Sequence, residues 1–272
     1  MKNNSLLIVI SLLFGLFGLA SSCGPEPPPP KPPKPPIPLS VTDIDGNIYH
    51  IKLCGSILWM TENLRVTKYD TESSRSGNTI PVATSEQSVN INKPYCVNVK
   101  DVEDAPYTDN FTEEIRSALG LLYNWSAATG MEKNDTLVNG SKQGICPNGW
   151  RLPIRSDLDS LFKYLGGKEL ADDKLKSTSG WYLINGTNES GLNCYPAGLA
   201  VGNQISAFAG RQTMFWCSGN YGTNERDEVF RLFYNEPAEM KFIDKYQASS
   251  VRCVKSINLE DYSNNKSSLY WE

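Results

Sequence analysis

The chain has 272 residues, a formal net charge of −4 and a sequence pI near 5.3. Because it carries no basic surplus, nucleic acid is not an expected partner. Its composition, with 40% hydrophobic and 21% charged residues, is that of a globular protein able to build a sizeable core, in one large domain or two small ones.

The first 23 residues have the pattern of a bacterial lipoprotein signal. Lys2 supplies a positive charge, Leu6 to Leu19 form an apolar run, and small residues lead into Cys23. The run is too short to cross the hydrocarbon core of a membrane. We therefore predict that residues 1–22 are a signal peptide and that Cys23 carries lipid, palmitate included, on its sulfur and its new amino terminus. An ordinary secretory signal with a coincidental cysteine is the alternative.

Residues 23–40 combine the lipidated cysteine with a proline-rich spacer. The segment from Gly24 to Pro38 is mostly proline, which cannot bury a core and favours polyproline II. At about 3.1 Å per residue, its fifteen or so residues reach roughly 45 Å. The spacer would hold a folded domain clear of a lipid membrane to which Cys23 is attached, and several acyl chains make that attachment stable.

Six further cysteines follow Cys23 in a chain that we expect to be exported. An even number in an oxidising compartment favours disulfides, although the sequence leaves their pairing open and buried thiols are the alternative. No CxxC spacing occurs, which disfavours zinc ribbons and thioredoxin-like sites. His50 is the single histidine, and its alternating neighbours indicate a strand surface, so no catalytic residue is assigned. The six cysteines are Cys54, Cys96, Cys146, Cys194, Cys217 and Cys253.

The first elements of the domain are predicted to be short strands. Residues 41–51 alternate around Asp45-Gly46-Asn47, the pattern of a hairpin turn. Residues 57–60 indicate a second strand. From residue 70 to residue 109 the chain is rich in Ser, Thr, Asn and Pro, which predicts long loops with short strands.

Two helices and a run of strands are predicted next. Apolar residues at helical spacing predict a helix over residues 112–128, and a second helix begins near Ser156 and ends at Gly166-Gly167. Strands are expected at residues 213–218, 229–234, 238–243 and 249–254. Helices followed by antiparallel strands indicate an α+β domain.

Several blocks of sequence occur in a characteristic order. They are VTDIDGNIY at 41–49, WMTENLR at 59–65, LYNW at 122–125, ICPNGWRLP at 145–153, LGG at 165–167, NESG at 188–191, FW at 215–216 and SVRCVK at 250–255. In this order they resemble the Fibrobacter succinogenes major paralogous domain family, found in lipoproteins of Bacteroidota. The resemblance spans residues 41–256 and leaves residues 257–272 as a C-terminal tail.

The resemblance implies a C-type-lectin-like domain with two helices and short antiparallel strands, from a family whose biochemical function is largely undefined. It also implies an outer-membrane lipoprotein of a Gram-negative bacterium, with the cell surface and the periplasmic face both open. Cys146 and Cys253 look like the family's domain-closing disulfide. Cys194 and Cys217 both depart from the family pattern and are expected to pair, which leaves Cys54 with Cys96.

Aromatic residues are the first candidates for binding a ligand. Trp59, Trp125, Trp150 and Trp216 lie within the family blocks and are expected in the core. Ligand-binding candidates nearer to loops are Trp181, Tyr182, Tyr221 and Tyr234.

Two charged groups invite a structural and a functional interpretation. Arg252 could bind a carboxylate ligand, but a buried pair with Glu62 is favoured. An oxygen-rich loop could hold calcium, although the sugar-binding signatures of calcium-dependent lectins are absent and a solvated acidic loop is the alternative. The calcium candidates are Asn224, Glu225, Asp227 and Glu228.

These features together predict a non-catalytic envelope protein that binds a glycan or a protein. No cofactor is expected, unless the oxygen-rich loop holds calcium. One alternative is a structural or accessory subunit of a surface or fimbrial assembly, which an exposed edge strand would favour. Another is an enzyme acting on extracellular polysaccharide or protein, which a concave pocket with convergent acids would favour.

Overall fold

The computed structural model describes residues 40–83, 93–99, 107–132, 142–201, 204–219 and 221–257. The predicted signal peptide, Cys23 and nearly all of the spacer and C-terminal tail lie outside these residues. Within them, no helix has the length and apolar character needed to cross a membrane.

The described residues form thirteen strands and four helices. The first part of the chain contains β1 (Ser40–Thr42), β2 (Ile48–Cys54), β3 (Ile57–Met60), β4 (Val82–Ala83), β5 (Cys96–Asn98), α1 (Glu113–Ala118), β6 (Leu121–Asn124) and α2 (Trp125–Thr129). The second part contains α3 (Arg155–Tyr164), α4 (Lys168–Leu175), β7 (Leu199–Val201), β8 (Gln204–Ala207), β9 (Gln212–Trp216), β10 (Arg226–Phe233), β11 (Glu236–Asp244), β12 (Ala248–Ser249) and β13 (Val254–Ser256).

The architecture is mostly β, so the predicted α+β, C-type-lectin-like domain with two helices is wrong. The strands form three sheets with the orders β1-β2-β3-β13, β11-β10-β9 and β4-β5-β6-β12-β7-β8. The four helices are short, with five to ten residues each. Sheet pairing therefore dominates the described fold, and the helices pack around it.

The helix predicted over residues 112–128 is the main source of that error. Thr112 caps the start of α1, where its Oγ1 accepts from the Ile115 N–H at 3.3 Å. Gly120, at φ +68°, then turns the chain, and a Cβ there would lie 2.7 Å from the Leu64 carbonyl oxygen. The next four residues form β6, which pairs with β5 and β12 and is buried along its whole length. Apolar spacing cannot distinguish such a fully buried strand from a helix.

Local turn and packing signals were reliable elsewhere. The predicted hairpin is formed by β1 and β2, with the Asp43 carboxylate accepting the Asp45 and Asn47 N–H groups at 2.9 Å. The second predicted helix is α3, and the Gly167 N–H closes its end on the Phe162 carbonyl oxygen at 2.8 Å. The predicted strand at 249–254 is instead divided between β12 and β13, which belong to different sheets.

Three buried clusters of apolar side chains form the core. The first surrounds Trp125, Trp150 and Trp216, the second joins Trp59 to α3, and the third packs α1 against β5 and β6. All four tryptophans of the family blocks are buried, which confirms their predicted role as core anchors.

The disulfide between Cys146 and Cys253 is confirmed, with a Cα–Cα distance of 5.8 Å. The other two predicted pairs are wrong, because Cys54, Cys96, Cys194 and Cys217 are free, buried thiols. Cys54 and Cys96 belong to different core clusters. The Cys217 sulfur, just after β9, contacts the Phe215 carbonyl oxygen of that strand at 3.7 Å rather than Cys194.

Burial keeps these four thiols protonated. It raises the pKa of Cys54 to about 11 and that of Cys96 to about 12, and it also raises the pKa values of Cys194 and Cys217. The thiolate is the reactive form of cysteine, so these residues behave as small apolar side chains of the core.

Arg252 is buried as predicted, but its partner is not Glu62. Its Nε donates to the Asn63 Oδ1 at 2.8 Å, and its two terminal nitrogens donate to the carbonyl oxygens of Leu192 and Asn193. Glu62 instead lies 2.7 Å from the Nδ1 of His50, which is exposed on β2 as predicted. Arg252 therefore ties two loops to the last part of the chain.

Candidate functional site

Two of the predicted ligand-binding residues, Tyr182 and Tyr234, meet at the surface with their ring centroids 5.3 Å apart. Both rings lie beside the guanidinium of Arg211, whose Cζ is 6.0 Å from the Tyr182 centroid and 5.0 Å from that of Tyr234. Tyr107 and Phe233 complete the group, with centroids 5.0 Å and 5.5 Å from the same Cζ. We call these five residues the Arg211 patch.

Four separate segments of the chain build the patch. Arg211 lies in the turn between β8 and β9, and its carbonyl oxygen accepts the N–H of Tyr234 at 2.8 Å. The preceding Gly210 accepts the N–H of Tyr182 at 2.6 Å. Gly210 has φ +80°, and a Cβ there would overlap the Tyr107 carbonyl oxygen. Only glycine therefore lets the Tyr107 loop lie against this turn.

Exposed apolar side chains and unusual backbone surround the patch. Leu183, Ile184 and Phe208 are 74%, 58% and 51% exposed. Tyr107, Leu183 and Phe208 have φ values of 79°, 65° and 64°, which bulky side chains rarely adopt. The Ile184 N–H donates to the Tyr182 carbonyl oxygen at 2.8 Å and closes a three-residue turn. Leu183, at its centre, has positive φ, and this form of the turn is strained. Such strain concentrates at functional sites.

The side-chain polar atoms of the patch have no hydrogen-bond partners within the described part of the chain. The Arg211 Nε is buried and lacks an acceptor. The hydroxyl groups of Tyr107, Tyr182 and Tyr234 likewise form no hydrogen bond to a described residue, in contrast to the buried hydroxyls of Tyr49, Tyr69 and Tyr123. The patch thus combines apolar ring faces with free hydrogen-bonding groups, as sites for polar small molecules do.

The other two aromatic candidates do not join the patch. Trp181 is buried in the second core cluster, where its indole N–H donates to the Ser177 Oγ at 3.1 Å and the Cys194 carbonyl oxygen at 3.0 Å. Its prediction as a ligand-binding residue is therefore wrong. Tyr221 is 56% exposed, but it packs on the guanidinium of Arg155.

Sequence reasoning missed three members of the patch: Tyr107, Arg211 and Phe233. Tyr107 could have been found, since it lies in a polar loop like the tyrosines that were chosen. Arg211 gave no signal, because its aromatic neighbours come from distant segments of the chain.

The predicted calcium site is not formed. Asp227 and Glu228 are consecutive residues of β10, so their side chains point to opposite faces of the sheet. Glu228 is fully buried in an ion pair with Arg155, whereas Asn224 and Glu225 are exposed. No group of three or more His, Cys, Asp and Glu side chains suited to a metal ion occurs among the described residues.

The buried carboxyl of Asp227 should make the stability of the protein depend on pH. It is 3% exposed, and burial raises the pKa of its carboxyl to about 6 from 3.8. The folded state therefore holds a proton between pH 4 and 6 that the unfolded state releases, so stability falls as the pH rises through this window. We expect this group to lower the free energy of unfolding by about 2–3 kcal/mol between pH 4 and 7.

The Asp227→Asn variant should lack this contribution. We measure the free energy of unfolding of both proteins by urea denaturation at pH 4 and at pH 7. The difference, variant minus original protein, should be about 2–3 kcal/mol larger at pH 7 than at pH 4. Parallel pH profiles for the two proteins would contradict the assignment.

A surface cleft of about 470 Å³ lies between α3, the start of α4 and β11. Its charges are balanced, with two basic and two acidic side chains. Arg155 is engaged by Glu228, and Glu239 is engaged by Arg231. The residues that line it are Arg155, Asp159, Phe162, Lys168, Glu239 and Met240. Because two of its four charged side chains are already paired, this cleft offers less to a ligand than the Arg211 patch.

Together, the sheets and the patch define a β-rich domain with a candidate ligand-binding surface. The family model of the Fibrobacter succinogenes major domain matches residues 53–255, and the chain belongs to this family. The match confirms the family predicted from the ordered sequence blocks, and it includes every residue of the Arg211 patch. No curated protein and no solved structure matches the chain.

Proposed function

We propose that this is a lipid-anchored protein of the cell envelope whose domain binds a glycan without catalysis, and that the Arg211 patch is the binding surface. The observation that supports the proposal is a partly exposed aromatic cluster on strained loops, whose hydroxyl and guanidinium groups have no side-chain partner among the described residues. Aromatic rings pack on the apolar faces of sugars, and the free polar groups can bind sugar hydroxyls.

The membrane attachment in this proposal rests on the sequence. A lipidated Cys23 followed by a polyproline spacer would display the domain on the outer membrane of a Gram-negative cell, at its surface or its periplasmic face. Many copies on one membrane would strengthen weak single contacts by avidity. A partly exposed aromatic patch suits this kind of binding.

An enzymatic role is less consistent with the acids that line the cleft. Asp159 and Glu239 both border it, but a glycosidase needs one carboxylic acid with a raised pKa. Partial burial raises the pKa of Glu239, yet Arg231 and Lys241 outweigh this effect and hold the pKa below its ordinary value. Glu239 is therefore a poor general acid.

An assembly role would need an edge strand open to pairing. β11 is the outer strand of its sheet, with nine residues, and it pairs with β10 but with no other described strand. It carries Pro237 and the charged residues Glu239 and Lys241. Proline and charge are features that protect sheet edges from pairing with another chain. We therefore favour glycan binding over assembly.

Glycan-array binding of the purified mature protein in detergent tests this function. We expect retention on at least one class of glycan, with and without a calcium chelator, because the predicted calcium ligands do not converge. Tyr182→Ala and Tyr234→Ala should each weaken binding at least tenfold, a change of about 1.4 kcal/mol. Tyr221→Ala, which removes a more exposed tyrosine ring outside the patch, is the control and should bind normally. Retention on no glycan, or an equal loss in the control, would refute the proposal.

A further inference from the structure

We propose that the glycan bound at the Arg211 patch is acidic, and that Arg211 binds its carboxylate. This inference rests on the proposed function and identifies the chemical class of its ligand.

Three cationic side chains pack against the aromatic rings of this region, and they differ in their partners. The Lys176 Nζ forms an ion pair with Asp172 and lies 3.5 Å from the Tyr234 carbonyl oxygen. Arg231 lies 4.8 Å from the Phe233 centroid and pairs with Glu236 and Glu239.

Arg211 forms no ion pair and no side-chain hydrogen bond within the described residues, although four rings surround it. The rings stabilise its charge from their faces but accept none of its N–H groups. Its Nε is buried without an acceptor among the described residues, so the donors that a ligand can reach are its two terminal nitrogens.

A carboxylate is the ligand group that best complements this guanidinium. Its two oxygens match the planar fork of N–H donors in a bidentate contact, which is shorter and stronger than a neutral hydrogen bond. The surrounding rings shield part of the guanidinium from water, and a lower local dielectric strengthens the charge interaction. In an acidic sugar the carboxylate is attached to a ring that can itself pack on Tyr182 or Tyr234.

The form of the patch favours a sugar over an acidic peptide. Four of its residues lie in turns and loops, and Phe233 ends β10, the central strand of its sheet, so the patch offers no row of backbone N–H and C=O groups for an extended peptide. The hydroxyls of its three tyrosines form no hydrogen bond to a described residue, so sugar hydroxyls can pair with them.

The first test uses the unaltered protein and changes only the ligand. Binding of trigalacturonate and of a short polysialic acid is measured by calorimetry beside the methyl ester of each, a neutral galacto-oligosaccharide and a glutamate heptapeptide. At least one acid should bind tenfold or more tightly than its own ester, and added salt should weaken it. Equal affinity for acid and ester, or competition by the peptide as strong as that of the acid, would overturn the inference.

The second test changes Arg211. Arg211→Gln should abolish the preference for acid over ester, with at least a thirtyfold loss of affinity for the acid and little loss for the ester. Arg226→Gln is the matched control, because Arg226 is exposed and lies at the opposite end of β10 from Phe233, roughly 20 Å away. An acid preference that survives in Arg211→Gln, or is lost in the control, would also overturn the inference. If Arg211→Gln does not fold, the comparison of acid and ester with the unaltered protein decides alone.

These outcomes separate the inference from the proposed function. Binding of neutral glycans that Tyr182→Ala weakens, without any acid preference, would refute the role of Arg211 and leave the glycan-binding function standing. Absence of binding to every glycan would refute both.

Discussion

Removing the Cys146–Cys253 disulfide is expected to lower the free energy of unfolding by about 4 kcal/mol. The bond joins residues separated by 107 positions, and a cross-link over so long a loop removes much of the conformational entropy of the unfolded chain. It also lies beside a backbone pair in which Arg151 and Val254 exchange hydrogen bonds at 3.0 and 2.8 Å. Because natural domains are stable by only about 5–15 kcal/mol, this loss is a large share of the total.

Denaturant unfolding of the double variant Cys146→Ala/Cys253→Ala measures this effect. Cys96→Ala is the matched control, since it removes a buried sulfur of the same core cluster without breaking a bond. Reductant should destabilise the original protein and leave the double variant unchanged. A double variant that is no less stable than Cys96→Ala would show that the cross-link contributes little.

Replacing Arg252 by Met is expected to cost about 3–5 kcal/mol of stability. Arg252 is 3% exposed, and its guanidinium satisfies acceptors on Asn63, Leu192 and Asn193. Methionine fills a similar volume but leaves these three oxygens without a donor in the protein interior. Arg252→Lys should be almost as damaging, because an ammonium group cannot reach three acceptors arranged around a planar fork.

Thermal and denaturant unfolding of the two Arg252 variants provide the measurement. Arg226→Met, which removes an exposed arginine paired with Asp244, should change stability by less than about 1 kcal/mol. If Arg252→Met were as stable as this control, Arg252 would have no structural role, and its conformation would need another explanation.

The sequence by itself determined the features that depend on neighbouring residues or on composition. The Asp43 carboxylate and Gly46 set the turn between β1 and β2. Gly166 and Gly167 end α3. Both are turns, whose conformation is set within a few residues of the chain. The ordered blocks were sufficient to recognise the family and, through it, the Cys146–Cys253 disulfide.

The tertiary structure decided which buried segments became strands and which distant side chains met. Residues 121–124 carry apolar side chains that suit a helix or a strand, and pairing with β5 and β12 made them a strand. The pairs predicted among Cys54, Cys96, Cys194 and Cys217 failed because each thiol was placed by the packing of its own segment. Arg211 gained its four aromatic neighbours in the same way. The spacing of residues along a chain reflects only local periodicity. The patch joins segments up to 127 residues apart, from Tyr107 to Tyr234, and only folding brings them together.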